Sequence, residues 1–271
     1  MKKVVAILWH TTASRMRSVI PKVAEQITLV VYSARALSDG IEDFDALCRD
    51  LDNADFFLFN RTSGDSIWPE IESYVRDKTT LIAYIGSDAL SNITDINMLE
   101  VSAHCNEYHT YSGMENMINL VRYCAFCAGD TEITYEDPRQ TPWEGVFHPD
   151  EPDQVYETTE DFFAKHPRNA KGVVGLMTSR SNWVNGDMAC ENEIIRLIEK
   201  AGYSVLPMYT YSWPEPGVGA KGPAYTLEKY CFDQDGNPLL DGLIKMTGFF
   251  IGGRYKANNE GLLTRLGCPV F

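Results

Sequence analysis

The sequence has few basic residues relative to its acidic ones, and this imbalance excludes some partners. It contains 24 Lys and Arg against 38 Asp and Glu, which gives a formal net charge of -14 at pH 7 over 271 residues. Binding to nucleic acid or to an anionic membrane requires a basic face, because phosphate charges have to be neutralised. We therefore expect neither nucleic acid nor a membrane among its partners.

Long apolar runs and an ordered cysteine pattern are also missing. No stretch approaches the roughly 18 apolar residues of a membrane-spanning helix. The start Met1-Lys2-Lys3-Val4 leads into an apolar segment too short for a secretory signal. The cysteines are seven, an odd number scattered through the chain, which is typical of reduced thiols rather than of a disulfide framework. These features predict a cytoplasmic location.

Two sequence motifs of common enzyme classes are absent as well. The turn after the first apolar run reads His10-Thr11-Thr12-Ala13-Ser14 and has no glycine-rich phosphate-binding pattern, so a dinucleotide is not expected there. No G-x-S-x-G elbow and no evident nucleophile with a histidine partner is present, which disfavours a hydrolase.

Alternating apolar and amphipathic segments predict an α/β fold. Residues 1–130 contain four apolar runs with helical segments between and after them, and we interpret this range as an N-terminal α/β domain. Strands that alternate with helices of this length indicate an open, mainly parallel sheet with right-handed crossovers. Both a flavodoxin-like and a Rossmann-like strand order agree with the pattern.

The character of the sequence changes twice after residue 130. Prolines and acidic residues over 131–170 predict a Pro-rich linker with one short helix at 158–165. The α/β pattern restarts over 171–271, where a strand is predicted at 243–251 and a helix at about 259–266. Residues 268–271 resemble the opening of one more strand. We therefore expect the second α/β unit to be incomplete.

One helix of this second unit has a clear apolar stripe in the sequence. The helix is predicted over 187–201, and its stripe follows one helical face. The stripe consists of Cys190, Ile194, Leu197, Ile198 and Ala201.

Several stretches of residues 142–271 resemble the large subunits of cobaltochelatase and magnesium chelatase, and they follow one another in the order found in that family. Over 1–130 the resemblance rests mainly on order and length. Two departures are the Asp187-Met188 pair, where the family often has a small hydroxyl residue, and the lack of the family's long body. The matching stretches are 144–150, 172–180, 183–187, 194–209, 240–249 and 266–270.

The resemblance implies a role within a larger assembly. Large subunits of this family bind a porphyrin or corrin ring and host ATP-dependent insertion of Co2+ or Mg2+, while separate ATPase subunits drive the cycle. The residues thought to handle the metal would lie beyond position 271, so no catalytic residue, metal ligand or bound cofactor is carried over to this chain. The resemblance thus predicts the N-terminal portion of such a subunit, inactive alone. Its expected partners are the remainder of the large subunit, the ATPase subunits and the tetrapyrrole substrate.

Two alternatives remain open from the sequence. One is a stand-alone α/β module that binds a small molecule or acts as a sensor. The other is a fragment of a relative that removes metal from haem.

The loop after the predicted strand at 172–177 contains the candidate ring-binding residues Arg180, Trp183 and Asn185. In open α/β sheets, ligands bind at the carboxyl ends of the strands. An arginine and an indole suit a flat macrocycle with carboxylate arms, because one forms bidentate hydrogen bonds and the other stacks. Alternatively, Asn185 or Asp187 caps the following helix, and Arg180 ties the loop to a neighbouring domain.

Two histidines are weaker candidates. His148, in the Phe147-His148-Pro149 segment, could be a metal-side ligand or a proton carrier, or could hydrogen-bond a carbonyl group within the linker. His10 follows the first apolar run and could line a cleft, although packing or surface use is the commoner role.

A group of cysteines and histidines offers a possible zinc site. Cys124 and Cys127 form a C-x-x-C pair, preceded by His104, Cys105 and His109. Zinc needs four tetrahedral N or S donors, and a second C-x-x-C pair is absent. Because the pair falls within a predicted helix, buried core thiols are the simpler interpretation.

Overall fold

The computed structural model describes residues 1–61, 64–86, 96–248, 251 and 259–271. The chain divides into two compact units, Met1–Thr141 and Pro142–Phe271. Each unit is built around its own sheet.

Strands and helices alternate through the first unit. Its elements are β1 (Lys2–Leu8), α1 (His10–Arg17), α2 (Ile20–Val23), β2 (Ile27–Ser33), α3 (Ala34–Ser38), α4 (Phe44–Asp52), β3 (Phe56–Phe59), α5 (Trp68–Val75), β4 (Leu81–Tyr84), α6 (Ile96–Tyr111) and α7 (Met114–Cys127).

The first sheet is parallel, with the strand order β2-β1-β3-β4. The predicted α/β fold is confirmed. Strand β1 lies between β2 and β3, which is the flavodoxin-like order, whereas a Rossmann-like order would place β1 beside β4. This arrangement resolves the choice that the sequence left open.

Helices cover both faces of this sheet because its central strands are apolar on both sides. In β1, Val4, Ala6 and Leu8 belong to the core that includes residues of α1 and α7. Val5 and Ile7 belong to the opposite core, which includes residues of α4 and α5. A continuous apolar run is what a strand buried on both faces requires.

The second unit begins with a β-hairpin, after which strands and helical segments alternate. Its elements are β5 (Gly145–His148), β6 (Glu151–Tyr156), α8 (Thr159–Lys165), β7 (Val173–Ser179), α9 (Arg180–Val184), α10 (Ala189–Lys200), β8 (Ser204–Thr210), α11 (Pro223–Tyr230), β9 (Gly242–Lys245) and α12 (Asn259–Leu266).

The second sheet has the order β6-β5-β8-β7-β9. Strands β7, β8 and β9 are parallel, and β5 runs antiparallel to both β6 and β8. Residues 269–271 run parallel to β9, since the Leu243 N–H donates to the Pro269 carbonyl at 2.9 Å and the Phe271 N–H donates to the Leu243 carbonyl at 2.9 Å. The parallel part therefore repeats the strand order of the first unit, with the first strand between the second and the third.

The range 131–170, predicted as a Pro-rich linker, is divided between the two units in the structure. Residues up to 141 belong to the first unit, where the Asn116 side chain exchanges two hydrogen bonds with the Arg139 backbone, at 2.8 and 2.9 Å. Residues 145–165 form β5, β6 and α8 of the second unit. The prolines do not prevent this, because Pro149 lies in the hairpin turn and Pro152 lies on β6, the edge strand of the sheet.

The buried face of α10 also differs from the apolar stripe in the sequence. Glu191 and Ile195 are buried, whereas Cys190 is exposed and Leu197 is 54% exposed. The helix is turned so that the Glu191 carboxylate points inward, where it accepts a hydrogen bond from the Thr178 hydroxyl at 2.6 Å.

Candidate functional site

The loop at the carboxyl end of β7 contains three of the predicted site residues. It begins with the short helix α9 at Arg180 and ends where α10 begins at Ala189. Ser179, the last residue of β7, pairs with Thr210, the last residue of β8. The segments that follow these two strands therefore start at the same level of the sheet edge.

Arg180 is buried, and its guanidinium is held inside the second unit. Its Nε donates to the Pro142 carbonyl at 2.8 Å, and the guanidinium lies 4.2 Å above the Trp143 ring. Burial lowers the pKa of Arg180 to about 10, which the nearby Tyr209 and Tyr211 partly oppose. Arg180 thus ties the loop to residues 142–143 of its own unit.

Trp183 lies flat on a buried tyrosine. Its ring stacks on Tyr209 with centroids 4.2 Å apart and an interplanar angle of 8°. The Tyr209 hydroxyl is buried without a hydrogen-bond partner in the described structure, and burial raises its pKa. Gly145 leaves room for this hydroxyl, because a Cβ there would be 2.6 Å from it.

Asn185 ends α9 instead of starting α10. Its side-chain N–H donates to the Ser181 carbonyl at 2.6 Å, and Gly186 then turns the chain with φ 71°. Asp187 is exposed. The N-cap of α10 is Met188, which makes no side-chain cap hydrogen bond. The alternative that Asn185 or Asp187 caps the following helix is therefore incorrect.

A buried carboxylate supports this loop, and the sequence did not single it out. Glu191 is 3% exposed, and its Oε1 accepts hydrogen bonds from the Thr178 hydroxyl at 2.6 Å and the Asn182 amide at 3.0 Å. It lies in the first turn of α10, where the helix dipole favours a negative charge. An acidic residue in the first turn of a predicted helix is visible in the sequence, but the sequence does not indicate its hydrogen bonds with Thr178 and Asn182.

His148 lies in a different cluster from Arg180 and Trp183. It is on β5, three residues beyond Gly145 and so away from the carboxyl end of β8. The buried His148 ring has its Nε2 at 3.0 Å from Glu199, and it stacks on His166 at 4.0 Å. Arg196 contacts both Glu199 and Asp150. These contacts hold the β5–β6 hairpin against α10.

His10 lies at the corresponding edge of the first unit. It is exposed and opens α1. The edge beside it is bridged by the Asn60 amide, whose Oδ1 accepts from the Trp9 N–H at 3.4 Å and whose Nδ2 donates to the Ile85 carbonyl at 2.8 Å. Gly86 has no room for a Cβ, which would be 2.5 Å from Asn60 Nδ2.

Cys105 and Cys124 are core thiols, and Cys127 packs against the same core. Cys105 and Cys124 are buried with their sulfur atoms 4.0 Å apart, and burial raises the pKa of Cys124 and of Cys127. His104 packs among tyrosine rings. In the part of the chain that the structure describes, no group of three or more His, Cys, Asp or Glu is arranged to hold a metal ion.

The helices of both units are short or polar. Among the residues that the structure describes, no helix has the length and apolarity needed to span a bilayer.

Comparison with known proteins identifies one family. The model of the CobN/Magnesium Chelatase family matches residues 106–271. An uncharacterized protein of Methanocaldococcus jannaschii is 25% identical over 99% of this chain and 21% of its own length. A magnesium-chelatase subunit of Cereibacter sphaeroides is 28% identical over 51% of this chain and 11% of its own length. The chain thus spans about a fifth, or less, of these relatives.

A solved structure resembles the chain more loosely. The catalytic subunit of cobaltochelatase from Mycobacterium tuberculosis superposes with a TM-score of 0.49 at 14% identity. The superposition covers 90% of this chain and 18% of that one.

Proposed function

The chain belongs to the CobN/magnesium chelatase family, and we propose that it is the N-terminal portion of a tetrapyrrole metal-chelatase large subunit of cobaltochelatase type. In this proposal the full complex inserts Co2+ or Mg2+ into a corrin or porphyrin ring with ATP, and this chain is inactive alone. Its partners are the rest of the large subunit and the ATPase subunits. The supporting observation is the family match over residues 106–271, a range that includes the whole second unit.

Within that assembly, we assign the second unit a role in shaping the ring-binding cleft at the carboxyl edge of its sheet. Ligands of open α/β sheets bind at this edge. Arg180, Trp183 and Asn185 give the edge its shape through the contacts with Trp143, Tyr209 and Ser181. His148 lies away from this edge, and its role in the proposal is to hold β5 against α10.

Ring binding is tested by titrating the purified chain with protoporphyrin and with hydrogenobyrinic acid diamide. We expect one of the two rings to quench tryptophan fluorescence saturably, because Trp183 and Trp143 lie at this edge. The ring that binds also distinguishes a porphyrin from a corrin substrate. If neither ring quenches the fluorescence, the cleft role is incorrect and docking of partner subunits is the remaining function.

Whether the chain is part of a larger subunit is tested by reading the genomic frame beyond the codon for Phe271. An open frame of many hundred codons is expected for a large subunit. A stop codon directly after Phe271 would favour a stand-alone binding or sensory module.

Removal of metal by the chain itself is tested by incubating it with haem. We expect no release of fluorescent metal-free porphyrin. Release would instead identify a haem-demetallating relative.

A further inference from the structure

An exposed tryptophan follows β8 at the same sheet edge as Arg180. Trp213 is 51% exposed, although a large apolar side chain gains free energy from burial. It lies three residues beyond Thr210, the residue that pairs with Ser179 at the end of β7. The indole is therefore presented at the edge where ligands of such sheets bind.

A series of ring contacts connects this indole to the buried arginine. The Trp213 ring meets Tyr211 edge-to-face at 5.8 Å, and Tyr211 meets Trp143 edge-to-face at 5.0 Å. The Trp143 ring in turn carries the Arg180 guanidinium at 4.2 Å. The Tyr211 and Trp143 rings thus hold the exposed indole in place, and the Arg180 guanidinium packs on the Trp143 ring.

The backbone around Trp213 is also fixed. Glu215 and Ala220 exchange two backbone hydrogen bonds, at 2.8 and 3.2 Å, which close the loop. Gly222 has φ 80°, and a Cβ there would lie 2.8 Å from the Pro214 nitrogen, so the two ends of the loop touch. A rigid aromatic side chain loses little conformational entropy on binding, which makes it an effective contact for a ligand.

A lysine precedes the glycine that closes this loop in the acidic protein. Lys221 precedes Gly222, where an added Cβ would lie 3.0 Å from the backbone carbonyl carbon of Trp213. The Lys221 side chain is exposed, and its ammonium lies 4.1 Å above the Tyr225 ring. An exposed aromatic face and an ammonium group on the same loop complement a flat ring that carries carboxylates.

We propose that Trp213 and Lys221 form a contact site for the tetrapyrrole, in which the macrocycle stacks on the indole and one of its carboxylates pairs with the ammonium. This inference rests on the proposed function, and it names residues that the sequence did not single out. In it, Arg180 and Trp183 are positioning residues, and the contact with the ring is made by the loop after β8.

The stacking part is tested by measuring the affinity for protoporphyrin from the shift of its absorption band, because replacing a tryptophan alters protein fluorescence. Trp213→Ala is expected to weaken binding about tenfold, the size of one lost stacking contact. Trp213→Phe should retain most of the affinity. Phe126→Ala, which removes a partly exposed aromatic residue of the first unit, is the control and should bind like the wild type.

The charge part is tested by comparing protoporphyrin with its dimethyl ester, which lacks free carboxylates. Lys221→Gln is expected to weaken binding of the acid about threefold and to leave binding of the ester unchanged. Lys171→Gln is the matched control, since Lys171 is also an exposed lysine over a tyrosine ring. Circular dichroism verifies that each variant is folded.

Failure of this inference differs from failure of the proposed function. If the wild type binds a ring and Trp213→Ala binds it equally well, the Trp213 site is incorrect while ring binding by the chain stands. A change in sedimentation of Trp213→Ala without a change in ring affinity also overturns it, because the indole would then serve self-association. If the wild type binds no ring, both are incorrect.

Discussion

At the scale of single residues, the Arg180 guanidinium makes stabilising contacts within the second unit. Its guanidinium hydrogen-bonds the Pro142 carbonyl and covers the Trp143 ring. A buried cation is costly unless such contacts replace its hydration. Arg180, which the sequence indicates as a candidate for a ligand carboxylate, also joins the start of the unit to the loop after β7.

Replacing Arg180 by alanine tests this role. Arg180→Ala should lower the free energy of unfolding by about 2 kcal/mol, because a charge-assisted hydrogen bond and a cation–π contact are lost together. Urea denaturation measures the change. Arg168→Ala is the control, since Arg168 is exposed above the Phe163 ring, and it should cost less than about 0.5 kcal/mol. Equal effects of the two replacements would contradict the assignment.

The ionisation of Glu144 makes the stability of the second unit depend on pH. Burial raises the pKa of its carboxyl group above the ordinary value of 4.5, and Lys229 and Lys221 partly oppose this. The fold thus favours the protonated form, so the contribution of Glu144 to stability is lost as the pH rises from 4.5 through the folded-state pKa.

Glu144→Gln should remove this dependence. The variant and the wild type should have similar unfolding free energies at about pH 4, and the variant should be the more stable one at about pH 7, because it buries no charge. Chemical denaturation across this pH range provides the comparison, with the exposed Glu157→Gln as a control. A variant that is less stable than the wild type near neutral pH would show that the Glu144 carboxylate is favourable.

At the scale of elements, the pairing of β5 with β8 depends on a close approach at Gly145. A Cβ at this position would lie 2.5 Å from Val155 Cγ1 and 2.6 Å from the Tyr209 hydroxyl. Gly145→Ala should therefore destabilise the protein by about 2 kcal/mol, as overpacking of a core does. Thermal unfolding measures the shift. Gly217→Ala has open space around the added Cβ and should be close to neutral, and a neutral Gly145→Ala would contradict this packing.

Most strands of the two sheets could be predicted from the sequence, because buried strands have continuous apolar runs. The apolar run at 56–59, one of the four in residues 1–130, forms β3, and the predicted helix at 259–266 coincides with α12. The predicted strand at 243–251 ends earlier as β9 (Gly242–Lys245), and residues 249 and 250 lie outside the described residues.

Two features of the second unit could not be predicted from local patterns. The β5–β6 hairpin contains prolines, which indicate a loop unless the strand is known to lie at a sheet edge. The orientation of α10 depends on hydrogen bonds that Thr178 and Asn182 donate to Glu191. The spacing of apolar residues in the sequence does not indicate these bonds.

The position of the loop after β7 could be predicted from the sequence, but the contacts of its side chains could not. The end of a buried strand located the loop of Arg180 and Trp183 at the carboxyl edge. The partners Trp143 and Tyr209 are distant in sequence and become neighbours through the strand order β5-β8-β7. That order involves an antiparallel strand, which the sequence pattern did not predict.

At the scale of the whole molecule, two units with the same parallel strand order follow one another along the chain. In the first, the Asn60 amide bridges the strand ends at the carboxyl edge. In the second, the carboxyl edge carries the loop of Trp183 and the exposed Trp213. Because of this difference, we place ring contact on the second unit.

Hydrogen–deuterium exchange of the chain with and without a saturating tetrapyrrole tests this placement most directly. We predict that the ring slows amide exchange in residues 180–188 and 211–222, the two loops at the carboxyl edge of the second sheet. Slowed exchange confined to the first unit, or no change while the ring is bound, would contradict it.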